Sequence, residues 1–305
     1  MIAVCSRSIT RSKSAIKILK KNFKKVKLNN TNQILKDEDL VNFLKNAKAT
    51  IIGLEKIDRD LLDKCPNLKV IAKYGVGTNN IDFDQLKKRN IKILLQPGIN
   101  KRAVSEITLN FMIMSLRNTI HLINDVKNNK WPFLFGRLLS TQTVGIIGFG
   151  NIGADLFKLL KPFKCKILAN DLDANNTFFS KHKIKNTSIK KVLSNSDIIS
   201  IHIPLNKRNI LFFSKSEFSL MKKNATLINT SRGGIVDEKH LYNFLFKNSE
   251  SKAFFDVMLK EPINNLKLLK LNNFFLTPHL AGSTVEIAES ASKDCVQKLV
   301  KFFYK

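Results

Sequence analysis

Cysteine is scarce in this 305-residue chain, and the four that occur, Cys5, Cys65, Cys165 and Cys295, lie far apart. None forms a Cys-x-x-Cys pair, which argues against a zinc site of the usual spacing and favours four reduced thiols. No apolar run reaches the roughly 20 residues that a membrane-spanning helix needs. The first residues also lack the layout of a signal peptide. We therefore expect a soluble, cytoplasmic protein with no membrane partner.

Arginine is rare as well, with 9 residues against 43 lysines, although the formal net charge is +28. Such a charge can serve a nucleic-acid or anionic-membrane partner, or it can reflect a lysine-rich solvated surface. Arginine is the usual reader of base edges and phosphates, and here the lysines are spread along the whole chain. We favour the solvated surface over a nucleic-acid partner. A small anionic substrate would still benefit from the positive field.

Apolar patterning predicts two α/β domains. Hydrophobic residues make up 44% of the chain, which is enough for a full core, and the length suggests two domains. Strands alternate with helices on both sides of Pro97-Gly98, which predicts an α/β fold with two doubly wound parallel sheets. The predicted strands cover 2–6, 50–53, 70–73, 91–94, 143–148, 166–170, 198–202, 225–229, 252–256 and 274–277. A long helix is predicted over 103–120 and a last helix over 284–303.

A glycine-rich turn follows the strand predicted at 143–148. Gly148, Gly150 and Gly153 form the pattern G-x-G-x-x-G, and a helix is predicted directly after them. The first glycine permits a tight turn, the second lets the backbone approach a pyrophosphate, and the third lets helix and strand pack closely. The N-terminus of that helix offers free N–H groups to phosphate oxygens. The pattern predicts a dinucleotide site, although the same glycines could serve a turn alone.

An acidic residue, Asp171, ends the next predicted strand, 18 residues after Gly153. A carboxylate at this place can accept hydrogen bonds from the ribose hydroxyls of an adenosine, and it repels a 2′-phosphate. We therefore predict NAD rather than NADP as the cofactor. Asp171 could also be an ordinary turn residue, and Asp173 is a less favoured ribose ligand.

Three polar segments follow predicted strands in the second half of the chain. They are 229–234 with Arg232, 256–262 with Glu261, and 277–282 with His279. Parallel α/β sheets bind ligands at the carboxyl ends of their strands. Hydride transfer to a 2-keto acid needs a cation for the carboxylate, a proton donor near neutral pH and a carboxylate that stabilises the imidazolium. The three segments supply these groups, although each residue taken alone could have a structural role.

Taken together, these segments resemble the D-isomer-specific 2-hydroxyacid dehydrogenases, close to the D-3-phosphoglycerate dehydrogenase branch. The resemblance covers nearly the whole chain. The motifs that carry it are KYGVGTNNID at 73–82, VSE at 104–106, VGIIGFGNIG at 144–153, NTSRGGIVD at 229–237, DVMLKEP at 256–262 and PH at 278–279.

The resemblance implies a role for each matching residue. Arg232 would orient the substrate, His279 would act as acid and base, and Glu261 would be the carboxylate partner of His279. Asp256 would hold the nicotinamide carboxamide. The predicted cofactor-binding residues are Val76, Gly148, Phe149, Gly150, Asn151, Ile152, Gly153, Asp171, His202, Ile203, Pro204, Thr230, Ser231, Asp256 and Gly282. The predicted substrate-binding residues are Lys73, Tyr74, Gly75, Val76, Gly77, Asn100, Arg232 and His279, and no metal is expected.

The resemblance also implies a domain arrangement. A flavodoxin-like substrate domain would comprise 1–98, completed by 283–305, and a Rossmann NAD-binding domain would comprise 99–282. The long helix after Pro97 would belong to the interface of a homodimer. The chain stops at Lys305, about where the catalytic core of the family ends. We therefore do not expect the C-terminal regulatory domain that many phosphoglycerate dehydrogenases carry.

The predicted function is the NAD-dependent interconversion of a D-2-hydroxy acid and its 2-keto acid. The first substrate expectation is 3-phosphoglycerate, the substrate in serine biosynthesis. Lys73 and Tyr74 depart from this branch, because many of its members carry an Arg and a small residue there, and a lysine meets a phosphate only as a point charge. A reductase of glyoxylate, hydroxypyruvate or D-lactate type is the alternative within the family. A protein that senses NAD or binds nucleic acid is the alternative of another class, and the intact Arg, Glu and His set argues against it.

Overall fold

The computed structural model of the chain describes residues 1–173, 177–263 and 266–304. The chain divides into two units. The first comprises Met1–Asn100 together with Ser283–Lys305, and the second comprises Lys101–Gly282. Each unit is built on one sheet. That the first unit binds the substrate and the second binds the cofactor stays a prediction.

The strands within each described sheet are parallel, which confirms the predicted α/β class with two parallel sheets. The strands are β1 (Ile2–Val4), β2 (Val26–Leu28), β3 (Ala49–Ile52), β4 (Val70–Lys73), β5 (Lys92–Leu94), β6 (Thr143–Ile147), β7 (Lys166–Asn170), β8 (Ile198–Ile201), β9 (Thr226–Asn229), β10 (Lys252–Phe255) and β11 (Phe274–Leu276). The first sheet has the order β2-β1-β3-β4-β5, which is that of flavodoxin-like folds. The second sheet has the order β11-β10-β9-β8-β6-β7.

Helices make most of the connections between strands. They are α1 (Arg7–Arg11), α2 (Lys13–Asn22), α3 (Asp37–Leu44), α4 (Arg59–Lys64), α5 (Phe83–Lys88), α6 (Lys101–Arg117), α7 (Thr119–Lys127), α8 (Asn151–Leu160), α9 (Thr177–His182), α10 (Ile189–Asn195), α11 (Lys215–Leu220), α12 (Glu238–Lys247), α13 (Leu266–Leu269) and α14 (Val285–Phe303). Short 3₁₀ turns lie at Leu139–Thr141, Lys161–Phe163 and Gly233–Ile235. The last predicted helix, over 284–303, corresponds to α14.

Helices cover both faces of the first sheet, and successive residues of β1 therefore belong to different core clusters. Ala3 lies in a cluster with Leu62 and Ile71, whereas Val4 lies in the opposite cluster with Val296. A strand buried on both faces reads as a continuous apolar run, which is why β3 and β4 are recognisable in the sequence. Because Val296 belongs to α14, the C-terminal stretch completes the core of the first unit.

The long helix expected over 103–120 is interrupted in the structure. α6 ends at Arg117 because Asn118 adopts a left-handed backbone conformation with a φ of 51°. The half-buried ammonium of Lys252 lies at this point and donates to the Asn118 side-chain oxygen at 2.5 Å and to the Ser115 carbonyl at 2.5 Å. The Ser115 carbonyl is one of the four that a helix end leaves without an intrahelical partner. A second helix, α7, begins at Thr119.

All four cysteines are free, in agreement with the expectation of reduced thiols. Burial raises the pKa of the Cys5 and Cys295 thiols to about 12, so both stay protonated and unreactive. Within the described ranges, no three His, Cys, Asp or Glu side chains lie close enough together to hold a metal ion. No helix of the described residues is sufficiently long and apolar to cross a membrane.

The turn from β6 into α8 uses its glycines for different physical reasons. Gly148 has a φ of 92°, and a Cβ atom on it would lie 2.6 Å from the backbone carbon of His202. A Cβ atom on Gly153 would collide with the carbonyl oxygen of Gly148, so α8 packs against the turn without a side chain there. A Cβ atom on Gly150 would meet no atom within 4 Å. The fold therefore requires glycine at Gly148 and Gly153, whereas Gly150 borders open space.

This difference predicts that the same substitution destabilises the protein at Gly148 and has little effect at Gly150. We expect Gly148→Ala to lower the free energy of unfolding by about 1–3 kcal/mol, because an alanine is strained at this φ and clashes with His202. We expect Gly150→Ala to change it by only about 0.5 kcal/mol. Thermal and denaturant unfolding of both variants beside the wild type would measure this. Equal losses in the two variants would contradict the assignment.

Candidate active site

The carboxyl ends of the strands place the predicted cofactor residues of the second unit at one edge of its sheet. In strand order, Asp171 follows β7, Gly148 follows β6, His202 follows β8, Thr230 follows β9 and Asp256 follows β10. Parallel α/β sheets form their ligand crevices at this edge. The structure therefore brings these five residues, which are far apart in the sequence, to one side of the second unit.

The turn at Gly148–Gly153 has the geometry that a pyrophosphate needs. Gly150 leaves open space in front of the backbone, and α8 begins at Asn151. The first N–H groups of a helix have no intrahelical partner, and the helix dipole favours an anion there. The ring of Phe149 is fully buried and stacks on Phe179 with 4.8 Å between the ring centroids. Phe149 can therefore contribute only its backbone to a ligand site.

Asp171 is tied to the glycine turn. Its Oδ2 accepts a hydrogen bond from the Phe149 N–H at 2.8 Å, and its Oδ1 accepts one from the Asp173 N–H at 3.0 Å. These contacts hold the carboxylate beside the turn, where the ribose of a bound dinucleotide is expected. Asp173 is itself exposed.

The segment His202–Pro204 forms the next part of this edge. The Nε2 atom of His202 lies 2.8 Å from the Ser200 hydroxyl, while its buried Nδ1 has no hydrogen-bond partner among the described residues. Burial lowers the pKa of His202 to about 3, so the ring is neutral at physiological pH. Ile203 is buried, and the Pro204 carbonyl accepts a hydrogen bond from the Asn209 side chain. A buried nitrogen without a partner fits a wall that is completed by a polar ligand.

Thr230 is held by a hydroxyl from α6. The Thr108 hydroxyl donates to the Val104 carbonyl at 2.7 Å and lies 3.1 Å from the Thr230 hydroxyl. A hydroxyl has one hydrogen, so Thr108 must accept the hydrogen of Thr230. The Thr230 oxygen consequently offers only acceptor capacity to a ligand.

A buried amide shapes the segment that carries Arg232. The Oδ1 of Asn229 accepts from the N–H of Ser231 at 3.1 Å and from its hydroxyl at 2.7 Å, while the Asn229 Nδ2 donates to the Arg232 carbonyl at 3.0 Å. The next residue, Gly233, packs directly on the backbone of Met258, where no Cβ atom would fit. This close approach brings the Arg232 segment against the segment that carries Glu261.

Glu261 and His279 form a short contact. The Oε2 of Glu261 lies 2.6 Å from the Nδ1 of His279, and its Oε1 accepts the Met258 N–H at 2.9 Å. The carboxylate is thus fixed by its own loop and oriented toward the imidazole. The contact occupies Nδ1 and leaves the opposite ring nitrogen, Nε2, for a reacting group. His279 has a left-handed backbone with a φ of 53°.

Asp256 holds the loop on which His279 lies. Its carboxylate is only 1% exposed. Oδ1 accepts from the Thr277 hydroxyl at 2.6 Å and from the Leu280 N–H at 2.8 Å, and Oδ2 accepts from the Ala281 N–H at 2.8 Å. A carboxylate oxygen can accept about two hydrogen bonds, so Oδ2 keeps capacity for one more donor. The predicted contact with a carboxamide is compatible with this arrangement, and Gly282 directly follows the bonded loop.

Arg232 belongs to the same cluster. Burial lowers the pKa of Arg232 below its usual value, and the negative charge of Glu261 acts in the opposite direction. A guanidinium remains protonated in spite of such a shift. Its Nη1 donates to the Ser231 carbonyl at 2.6 Å. Glu261 is therefore close enough to interact with both Arg232 and His279, and the three predicted catalytic residues converge in the second unit.

Of the other predicted substrate residues, 73–77 lie at the carboxyl end of β4 in the first sheet. Gly75 has a φ of 84°, and Val76 is partly exposed. Lys73 differs from the expectation, because its side chain is only 3% exposed and its Nζ donates to the Tyr74 carbonyl at 2.8 Å. In this conformation the Lys73 ammonium supports its own loop. The side-chain oxygen of Asn100 is buried without a hydrogen-bond partner in the described residues.

Three polar residues of these edges have no place among the predicted site residues. Asn229 shapes the Arg232 segment, Thr108 contacts Thr230, and Gln96 contacts Gly75 at 3.2 Å from its side-chain oxygen to the backbone nitrogen. Asn229 stands at the end of an apolar strand and two positions before a serine, which is the pattern of an Asx turn and could have indicated its role. Nothing in the local sequence signals the contacts of Thr108 or Gln96.

Known proteins match this chain over most of its length. The family model described as "D-isomer specific 2-hydroxyacid dehydrogenase, NAD binding domain" matches residues 109–281. A glyoxylate reductase of Thermococcus litoralis is 34% identical over 84% of this chain and 80% of its own length. A D-3-phosphoglycerate dehydrogenase of Archaeoglobus fulgidus is 32% identical over 90% of this chain, which spans 52% of that relative.

A solved structure has the same architecture. The D-lactate dehydrogenase of Aquifex aeolicus, crystallised with NAD and lactic acid, superposes with a TM-score of 0.86 at 26% identity, covering 99% of this chain and 95% of that one. These matches confirm the resemblance that the motifs indicate. The chain therefore belongs to the D-isomer-specific 2-hydroxyacid dehydrogenases, a family of oxidoreductases, and its second unit contains their NAD-binding domain.

Proposed function

We propose that the protein interconverts a D-2-hydroxy acid and its 2-keto acid with NAD. The observation that carries the proposal is the contact of 2.6 Å between His279 Nδ1 and Glu261 Oε2, beside the half-buried guanidinium of Arg232. An imidazole oriented by a carboxylate is a suitable acid and base near neutral pH. A fixed guanidinium next to it suits a carboxylate and a carbonyl oxygen.

The cofactor would be held along the edge of the second sheet. The N–H groups at the start of α8 and the open backbone at Gly150 would take the pyrophosphate, and Asp171 would accept hydrogen bonds from the ribose. Asp256 Oδ2 and the acceptor oxygen of Thr230 would face the polar end of the nicotinamide. When bound, NAD exchanges a hydride with C2 of the substrate.

The residues of the chain supply binding and proton transfer. Arg232 would hold the substrate carboxylate and polarise the C2 oxygen, and its partial burial strengthens that interaction because less water competes. In oxidation, neutral His279 takes the hydroxyl proton at Nε2, and Glu261 stabilises the imidazolium that forms. In reduction, the imidazolium returns this proton to the C2 oxygen. The Gly75-Val76-Gly77 loop stays a predicted substrate contact, because its backbone N–H groups suit a carboxylate.

A small, unphosphorylated 2-keto acid such as glyoxylate or hydroxypyruvate is the substrate class that we favour. Lys73 supports this choice, because it stands where many phosphoglycerate dehydrogenases carry an arginine and is buried with its ammonium bonded to the Tyr74 carbonyl. The similarity to a glyoxylate reductase over 80% of that protein also supports it. 3-Phosphoglycerate is the second candidate, supported by the similarity to a D-3-phosphoglycerate dehydrogenase.

Replacing His279 by asparagine tests the proton-transfer role. Asparagine tolerates the left-handed backbone at this position and removes the imidazole, so the loop should keep its conformation. We expect kcat to fall by about 10²–10⁴-fold, which is the usual contribution of a positioned acid or base. Stopped-flow and steady-state assays with NADH would measure it, with thermal unfolding as the control for folding. A His279→Asn variant with nearly normal turnover would exclude His279 as the acid and base.

A panel of 2-keto acids with NADH tests the substrate class. We expect kcat/KM for glyoxylate or hydroxypyruvate to exceed that for 3-phosphohydroxypyruvate by at least about tenfold, which corresponds to about 1.4 kcal/mol. Lys73→Met is the matched variant. If Lys73 only supports its loop, this substitution should change kcat/KM for phosphorylated and unphosphorylated acids in parallel. A different outcome would support 3-phosphoglycerate instead. In that outcome the wild type prefers the phosphorylated acid, and Lys73→Met abolishes this preference.

A cytoplasmic homodimer is part of the same proposal. The segment 131–138 exposes several large apolar side chains, among them Trp131 at 89% and Phe133 and Phe135 at 85% each. α7 leads to this segment and exposes Ile123 and Val126. Monomeric proteins rarely leave such a concentration of apolar surface in water. A second copy of the chain would cover this surface.

Removing two of these aromatic side chains should dissociate the dimer. We expect the wild type to have twice the chain mass of 34.7 kDa, and the double variant Phe133→Ser/Phe135→Ser to have the mass of one chain. Multi-angle light scattering after gel filtration would measure both. Phe246→Ser on α12, which removes another exposed aromatic ring, is the control and should remain dimeric. A wild type that is monomeric at micromolar concentration would contradict the dimer.

A further inference from the structure

The loop proposed to receive the substrate carboxylate is bonded to the buried side chain of Gln96. Gly75, in the left-handed backbone region, directs its N–H to the Oε1 of Gln96 at 3.2 Å. Gln96 follows β5, is only 2% exposed, and stands 21 positions further along the chain. We propose that Gln96 is a positioning residue that sets the conformation of the Gly75-Val76-Gly77 loop for substrate. This inference rests on the proposed function of that loop.

The surroundings of Gln96 fix the orientation of its amide. Its Nε2 donates to the Ala291 carbonyl at 2.7 Å and to the Asp294 carboxylate at 2.8 Å, and both acceptors belong to α14. A flipped amide would place its oxygen against these two acceptors and would lose both hydrogen bonds. The oxygen must therefore face the Gly75 N–H. Each polar atom of this buried side chain has a partner, so the amide has one stable orientation.

The network of Gly75, Gln96 and Asp294 continues to Lys298. Lys298 Nζ contacts the Asp294 carboxylate at 2.8 Å and donates to the Leu95 carbonyl at 2.9 Å, next to Gln96 in the sequence. Although burial acts to raise the pKa of Asp294, hydrogen bonds from Lys298 and Gln96 hold that pKa below its usual value. Asp294 is consequently an anion at neutral pH and a strong acceptor for Gln96.

This network determines which loop N–H groups are open to substrate. The Gly75 N–H is engaged by Gln96, whereas the N–H groups of Val76 and Gly77 donate to no group in the described part of the chain. Two successive N–H groups on a loop of fixed shape suit a carboxylate. Without Gln96, the glycine would be free to change φ, because a residue without a Cβ populates several backbone regions. The loop would then lose the arrangement in which both groups face one anion.

The test compares two buried amides of the first unit. Gln96→Met keeps the length of the side chain and removes its hydrogen bonds. We expect it to raise KM for the 2-keto acid by about tenfold or more, while KM for NADH and the kcat at saturation change by less than about twofold. Asn29→Leu is the matched control, because Asn29 is also 2% exposed, donates to two carbonyls and follows β2 at the other end of the sheet. It should lower the melting temperature without changing KM for the acid.

Lys298→Met is the second variant and serves if Gln96→Met does not fold. Lys298 is partly exposed, and its loss should weaken the support of Asp294 and raise KM for the acid severalfold. The positioning role is overturned if KM for the acid is unchanged in Gln96→Met. If only Lys298→Met folds, an unchanged KM for the acid in that variant overturns it. An equal rise of KM in Asn29→Leu would also overturn it, because the effect would then follow from stability alone. A wild type that turns over no 2-keto acid would instead refute the proposed function.

Discussion

The buried carboxylate of Asp256 is the group on which the arrangement of the proposed catalytic residues depends. A charge removed from water is costly unless it is hydrogen-bonded, and here all three donors come from residues 277–281. Those donors lie on both sides of His279. The hydrogen bonds that the Asp256 carboxylate needs therefore also place the His279 imidazole beside Glu261. The left-handed backbone of His279 is a strained conformation that this network maintains.

Neutral amides have a comparable role at two other strand ends. Asn229 is the last residue of β9 and holds the turn before Arg232, and Gln96, just after β5, contacts the loop around Gly75. An amide has both donors and an acceptor, so it can join backbone groups of either kind without burying a net charge. The turn before Arg232 and the loop around Gly75 are thus contacted directly by neutral amides, whereas the loop of His279 is held by a carboxylate.

The fold class, the glycine turn and the residues Arg232, Glu261 and His279 could be read from the sequence because their signals are local or are motifs of known spacing. β2 could not be predicted, since Val26–Leu28 is a short edge strand that is only partly buried and pairs on one side. The break of the long helix at Asn118 depends on Lys252, which is 134 positions away. The burial of Lys73 and the contacts of Gln96 with α14 likewise arise from tertiary packing. Contacts between residues so far apart leave no periodic pattern in the sequence.

The first unit is assembled from two separate stretches of chain, whereas the second is continuous. α14 supplies Val296 to the core of the first unit and the two acceptors for Gln96. A fragment ending at Asn100 would lack all of these groups and would leave apolar surface and amide hydrogens without partners. Exchange of the nucleotide-binding unit between relatives by recombination therefore has to preserve two junctions at once, at Asn100–Lys101 and at Gly282–Ser283. The second unit can therefore be exchanged as an insertion into the first unit, and not by joining two complete units end to end.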